Sequence, residues 1–581
     1  MGSCTRRSDD TIEQARIWLD DCLLQHSPDY CGPKHCTELP TRLIEIESIG
    51  SGVDGVASAR LIRSITLPAD TKYTTLSHCW GSTPFFTLSD GNLEEMYRSI
   101  PVARLPPAFQ DAMSITLKLG QRYIWIDSLC IIQDSLGSAD WVAESRKMDV
   151  VYGNSYCNLA ATGFSDGQQP LPPRAPVQPG FRFPELSLDA LDRLPRPPVP
   201  ESSSHDPPEE EPLVPSHATR HSTYCIVSAN DWDRQVSQAP LHRRAWVIQE
   251  QMLAPRILHF TETQVFWECS LRRYSREIPQ GAFQSITADG ALKSMAPMWM
   301  SEKNPLYSAW FYLIREYSGA DLTRASDKLP AISGLAKIFQ RKLDDEYLAG
   351  LWKGNIYTGL LWFAIDRVSH PSAYRAPSWS WASVDGRVRY FQQPRRPEHK
   401  RVIVTAIEEI ATFTERQGDL FGPVSGGHIR LAGFPHQALL SGGPGVLPGR
   451  AWYLRQAKHD SAHPDAVCFE TYVGPTSLKV SRDIEVFPSV PEIYWDQNIF
   501  FLPLFEQFLL KGKTEDAGFR RKVSGLVLRR EKGTIGTYTK VGVFRSPSSS
   551  LDEMFSPDTS RLQEGEFERK DGEGRYVIRI I

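Results

Sequence analysis

The sequence predicts an α/β fold with a mainly parallel sheet and flanking helices, followed by a helical region and a β-rich C-terminal unit. Three observations carry this. Short strand-like runs alternate with helix-period segments from Tyr73 to Cys269. One run, YIWIDSLCII (123–132), is almost continuously apolar, as a strand covered on both faces requires. From 386 onward the pattern turns to short β-type runs separated by Gly/Pro turns.

Taken in order, YTTLSHCWG (73–81) begins as a strand. PPAFQDAMSITLKLG (106–120) opens on proline, carries Phe109, Met113, Ile115 and Leu117 at near-helical spacing, and stops at Gly120, the signature of a helix. YIWIDSLCII is the next strand, with Asp127 at the end of its YIWID core. ADWVAESRKMDVVYGN (139–154) is helical and YCNLAAT (156–162) a strand. TYCIVSA (223–229) is strand-like, PLHRRAWVIQEQML (240–253) a helix, and RILHFTETQVFWEC (256–269) extended. Residues 270–385 read as mostly helical and aromatic, ending in the tryptophan-rich APSWSWASVDG (376–386). The remainder, 386–581, contains KRVIVTAIEEI, GHIRLAGF, IFFLPLF, VSGLVLRR and YVIRII.

One composition break interrupts this series. Between Pro170 and Pro215 lie 14 of the 43 prolines, with SSSHDPPEEEP among them. Proline removes backbone donors, and an acidic, serine-rich stretch has little to bury, so 165–221 is expected to be a disordered insertion within one α/β unit. Residues 1–72 form a lead-in to that unit.

The balance of 65 basic against 69 acidic residues gives a net charge of −4 over 581 residues, which argues against nucleic acid as a partner. No apolar run is long enough to span a membrane, and the polar N-terminus lacks a signal-peptide core. Ten cysteines are too sparse for a disulfide scaffold, so a reducing, cytoplasmic setting is expected.

LSHCWG (76–81), RYIWIDSLCIIQD (122–134) and RRAWVIQEQMLAPRILHF (243–260) occur in the order of the three signature blocks of the fungal heterokaryon-incompatibility (HET) domain. On these blocks the chain resembles that family over 73–269. APSWSWASVDG and the lead-in WLDDCLLQHSPDYCGPKHCTELPTRLIEI (18–46) resemble segments that accompany such domains. The resemblance implies a role in non-self recognition and regulated cell death, and a distant kinship to TIR domains, hence a TIR/flavodoxin-like sheet. Some TIR domains hydrolyse NAD, which makes NAD the expected substrate, with no cofactor. It also implies assembly on activation, as a homo-oligomer or with a partner protein.

The candidate site follows. Trp246 and Glu250 repeat the spacing of tryptophan and catalytic glutamate in NAD-cleaving TIR domains, and residues four apart share a helix face. Breaking the nicotinamide–ribose bond builds oxocarbenium-like charge that one carboxylate can stabilise, and nicotinamide leaves without protonation. The opposing reading has Trp246 in the core and Glu250 solvated or paired with Arg243 or Arg244. Ser77, His78, Trp80 and Asp127 follow strands, where ligands of parallel sheets sit, so Ser77, Trp80, Asp127 and Trp246 are candidate substrate contacts, with amides near Gly81 for an anion. Alternatively Asp127 caps the next turn and Trp80 packs. Gln133 and Asp134 are expected to fix loop geometry. His78 and Cys79 point to opposite faces of a strand, so Cys79, like Cys130, reads as a buried apolar residue. Cys22-x3-His26-x4-Cys31-x4-Cys36 has zinc-capable ligands but lacks paired C-x2-C spacing; packing explains Cys22 and His26, and no metal is expected. Trp379 and Trp381, alternating on an expected strand, read as core. The competing function is a non-enzymatic recognition or oligomerisation module.

Overall fold

An eight-stranded sheet organises the N-terminal part of the chain. Its strands are β1 (Arg42–Ser48), β2 (Val56–Arg63), β3 (Thr74–Ser77), β4 (Tyr123–Ile126), β5 (Cys157–Ala160), β6 (Arg256–Phe260), β7 (Val265–Cys269) and β8 (Arg273–Ser275). Their spatial order is β2-β1-β4-β3-β5-β6-β7-β8. The computed structural model describes residues 8–33, 38–48, 56–136, 139–171, 231–276, 303–365, 368–391, 400–441, 452–456, 467–472, 484–488, 499–510, 519–545 and 562–581. The proline-rich segment beyond 171 and the strand expected at 223–229 lie outside the described residues.

β4, β3, β5 and β6 are mutually parallel, and every residue of β3, β5 and β6 is buried. Parallel strands need a crossover that covers the sheet face, which is why these short segments are buried throughout even where they carry Thr74, Thr75, Ser77, Asn158, Arg256 and His259. The flanks differ from the expected mainly parallel sheet. β1 pairs antiparallel with β2 and β4, β6 with β7, and β7 with β8. The cause is connection length: the loop 261–264 between β6 and β7 is too short for a crossover, so it can only close a hairpin. The lead-in thus supplies two strands of the same sheet.

The helices include α1 (Ser8–Gln25), α2 (Pro107–Lys118), α3 (Asp127–Cys130), α4 (Ala139–Ser145), α5 (Met148–Gly153) and α6 (Ala245–Leu253). α2 opens on Pro107 and is followed by Gly120 at φ +75°, as its sequence signals require. Two expectations need correction. The run 123–132 is not one strand: it leaves extended backbone at Asp127, whose Oδ1 accepts the Ser128 N–H at 2.7 Å and opens α3. The segment 240–253 is not one helix: a 3₁₀ turn at Pro240–Arg243 ends in extended backbone at Arg244 before α6 begins. Asp321 holds this break, donating its N–H to the Arg243 carbonyl (2.6 Å) and accepting from Ala245 N–H (2.9 Å).

Beyond the sheet, α7 (Lys303–Ser318) and α8 (Ser333–Leu343) carry Trp310 and Phe339 into the core. Trp379 and Trp381 are fully buried, but in a turn and a 3₁₀ segment rather than on a strand. The Trp310 and Trp381 indoles both donate to the Gly350 carbonyl, at 3.1 and 2.9 Å. Gly350 has φ +97°, and a Cβ there would stand 2.5 Å from the Trp381 nitrogen, so glycine is required. A twelve-stranded sheet runs from Lys400 to Ile580, and the largest apolar cluster is continuous from Ile12 to Ile580.

Candidate functional site

The strand order places β3 between β4 and β5, so the chain leaves β3 and β5 in a sheet whose order reverses beside β3. Such a reversal opens a crevice at the carboxyl ends of the strands. Ser77 is the last residue of β3, Asp127 follows β4, and Asn158 lies on β5. α6 precedes β6 and directs Glu250 into the same region.

Glu250 Oε2 accepts a hydrogen bond from Ser77 Oγ. Ser77 is held in turn by Asn158, whose Nδ2 donates to Ser77 Oγ at 3.0 Å while its Oδ1 accepts from Thr75 Oγ1 at 2.9 Å. The buried Tyr152 hydroxyl faces both Ser77 and Glu250. Burial pushes the Glu250 carboxyl up to about 7, and the nearby Asp127 charge adds to this; the Ser77 bond, the Arg244 charge and Tyr152 oppose it. A carboxyl so placed exchanges its proton near neutrality. Arg244 does not cover it as an ion pair, because its Nη1 donates to the His78 carbonyl.

α6 is fixed from its other sides. Gln249 Oε1 accepts from Gly334 N–H (2.7 Å), Gln251 donates to Glu268 (2.9 Å), and Val247 packs with Cys79 and Ile257. With neighbouring residues engaged in this way, the direction of the Glu250 side chain is set by the helix as a whole.

The adjoining half of the site is built on Asp127. Its Oδ2 accepts the Trp80 indole N–H at 2.8 Å while Oδ1 accepts the Ser128 N–H at 2.7 Å in the first turn of α3, so both carboxylate oxygens are engaged. His78 is buried, stacks parallel to Trp80, and sits edge-on to Phe109 at 4.7 Å. Burial lowers its pKa, and its Nδ1 lies 3.7 Å from Asp127 Oδ1, past hydrogen-bond length. Gln133 Nε2 donates to the Asp127 and Ile131 carbonyls, and Asp134 accepts from Asp90 N–H, so both fix the loop.

The structure therefore gathers Ser77, Trp80, Asp127 and Glu250. Trp246 is half-buried and engaged differently: its ring meets Trp141 edge-on at 5.9 Å and its indole faces Asp327. Gly81 takes φ +68° and lies against Asp166, which brings an acidic residue to the loop expected to receive an anion. Cys79 and Cys130 are buried with raised thiol pKa values, Cys130 to about 12, which keeps both protonated. Asn158 and Tyr152 escaped the sequence reading. Asn158 had a signal, being the one amide in the apolar strand CNLA; Tyr152 had none, since a tyrosine beside a strand is ordinary core.

Residues 73–250 match the family model described as heterokaryon incompatibility protein (HET). The segment is a HET domain. No curated protein and no solved structure matches the chain. The match to the HET domain starts one residue before β3 and ends on Glu250, so it contains the whole hydrogen-bonded cluster. Among the described residues no helix is long and apolar enough to cross a membrane.

The HET domain also leans on segments outside the match. Arg42 of β1 donates to the Cys130 carbonyl at 2.6 Å and to Asp140 at 3.1 Å, tying down the loop after α3. Cys22, His26 and Cys31 of the lead-in converge on Cys269 of β7, while Cys36 lies outside the described residues. Sequence spacing offers Cys36 beside the first three; the fold brings in Cys269, 243 residues beyond His26.

Proposed function

We propose that this heterokaryon-incompatibility-type protein acts in fungal non-self recognition and regulated cell death by TIR-like hydrolysis of NAD, with Glu250 as the catalytic carboxylate. The observation that carries the proposal is the Glu250 carboxyl, hydrogen-bonded to Ser77 at the end of β3 and poised near neutral pH. The parallel order β4-β3-β5-β6, in which the first strand lies between the second and third, supports a TIR/flavodoxin-like reading of this sheet.

In this mechanism the bond between the nicotinamide nitrogen and ribose C1′ breaks, and its electron pair leaves with neutral nicotinamide. Positive charge develops on the ribose, and ionised Glu250 stabilises it from a site where burial strengthens the interaction. Water adds to C1′ and gives up its proton, which Glu250 accepts, leaving ADP-ribose. Ser77, oriented by Asn158, keeps the carboxylate directed. Asp127, fixed by Trp80, takes a ribose hydroxyl. The protein acts in the cytoplasm and assembles on activation, as a homo-oligomer or with a partner protein.

The test is NAD consumption by the full chain, free and forced to oligomerise through a fused scaffold, against Glu250→Gln. NAD loss with wild type alone, with the Gln variant equally folded, supports the carboxylate-dependent hydrolase. No turnover by a verified oligomer, or equal turnover by the variant, removes Glu250 from this role and leaves the non-enzymatic recognition module.

A further inference from the structure

Away from the Glu250 cluster, four soft or borderline ligands meet where the lead-in touches the sheet. Cys22 and His26 lie one turn apart at the end of α1, Cys31 follows in the turn Pro28–Cys31, and Cys269 closes β7. One ligand atom from each falls within 4.8 Å of all the others. The three cysteines are buried, at 2%, 2% and 4% exposure.

The geometry points to a structural zinc ion held by Cys22, His26, Cys31 and Cys269. His26 Nδ1 stands 3.5 Å from Cys31 Sγ and 3.6 Å from Cys269 Sγ. Ligands at about 2.3 Å (sulfur) and about 2.0–2.1 Å (nitrogen) from a tetrahedral zinc are separated by about 3.6 Å, so these are the edges of such a tetrahedron. Hydrogen bonding explains the arrangement poorly. An unprotonated imidazole nitrogen offers one lone pair, yet two sulfurs approach the same nitrogen, and a third thiol joins them. A central cation accepts all four. A disulfide would join two cysteines and strand the third.

The surroundings fit a bound metal. Arg272 N–H donates to Cys269 Sγ at 3.3 Å, within the tight turn that Cys269 N–H closes on the Arg272 carbonyl at 2.9 Å. Such backbone bonds orient a thiolate and offset its charge. The segment bearing Cys31 is anchored independently: Arg256 donates to the Cys31 carbonyl at 2.8 Å and Ser270 to the Tyr30 carbonyl at 2.7 Å. Four protein ligands fill the tetrahedron and leave no position for substrate, which makes the site structural. Its effect is to staple α1 to the β7–β8 hairpin.

The experiment measures zinc in the full chain purified under reducing conditions and reconstituted with zinc or Co(II) alone. The expected result is one zinc per chain, and a tetrahedral thiolate–Co(II) absorption spectrum. Cys269→Ser is expected to weaken zinc by more than about 100-fold, beyond the range for losing an outer-shell contact. To separate ligand loss from unfolding, His26→Cys serves beside it: four thiolates retain the zinc and shift the Co(II) bands, whereas Cys130→Ser changes neither. Three results would each overturn the site: no metal after reconstitution of the folded chain, a disulfide among Cys22, Cys31 and Cys269, or unchanged zinc in the triple serine variant of these cysteines.

Discussion

Ser77 at the end of β3 donates a hydrogen bond to Glu250 on α6, joining residues 173 positions apart at the point where the parallel strands diverge. The bond lies on no surface ion pair, and it acts against a burial cost that raises the carboxyl to about 7.

That cost gives a pH signature. The folded chain retains the Glu250 proton up to about 7, whereas the unfolded chain releases it near 4.5, so ionisation lowers stability as pH rises through this interval. Glu250→Gln removes the charge and is expected to stabilise the fold at pH 8 by about 2–3 kcal/mol, with little change at pH 4. Urea titrations of both proteins at the two pH values check this. On the proposed mechanism, in which ionised Glu250 acts, NAD hydrolysis should rise with pH through about 7, the acid limb that a carboxyl of this pKa gives.

Ser77→Ala removes a bond that favours the carboxylate, so the Glu250 pKa is expected to climb further. Its Oγ also accepts from Asn158, and losing that partner should cost about 1–2 kcal/mol. Carbon-13 titration of the Glu250 carboxyl reads the first effect and urea unfolding the second.

Trp80→Phe keeps an aromatic ring beside His78 but deletes the donor to Asp127. A loss of about 1.5–3 kcal/mol is expected for a hydrogen bond to a charged group. Because Asp127→Asn weakens the same bond, the two substitutions should couple in a double-mutant cycle, leaving the pair less destabilising than the sum. Additive losses would show that the bond is energetically silent.

Arg42→Met leaves Asp140 without its guanidinium in a site where the two side chains are 8% and 18% exposed. Breaking one side of such a pair should cost about 3–5 kcal/mol, and replacing both residues with apolar ones should recover most of it. Urea unfolding of the single and double variants measures the difference.

The parallel core is legible in the alternation of strand-like and helix-period segments and in the apolar β4, and Ser77, Trp80 and Asp127 in their places beside strands; Glu250 is legible only through its spacing from Trp246 and the resemblance that spacing carries. Sequence patterning could not supply the breaks at Asp127 and Arg244, which depend on a carboxylate capping its neighbour and on Asp321 pairing from a distant turn. Tyr152 and Cys269 were hidden for the same reason: each looks like core until folding brings its partners. The direction of Trp246 was equally out of reach, since periodicity gives a face of a helix and Trp141 and Asp327 decide where on that face the ring rests.

The Glu250 cluster has a consequence for the chain as it is made. Its members come from residues 77, 127, 152, 158 and 250, in that order from the N-terminus. A ribosome must therefore complete nearly the entire HET segment before the last carboxylate exists. Nascent chains and premature-stop products ending short of Glu250 carry Ser77, Asp127, Tyr152 and Asn158 without the carboxyl that Ser77 holds, so the cluster is closed only once synthesis has passed it.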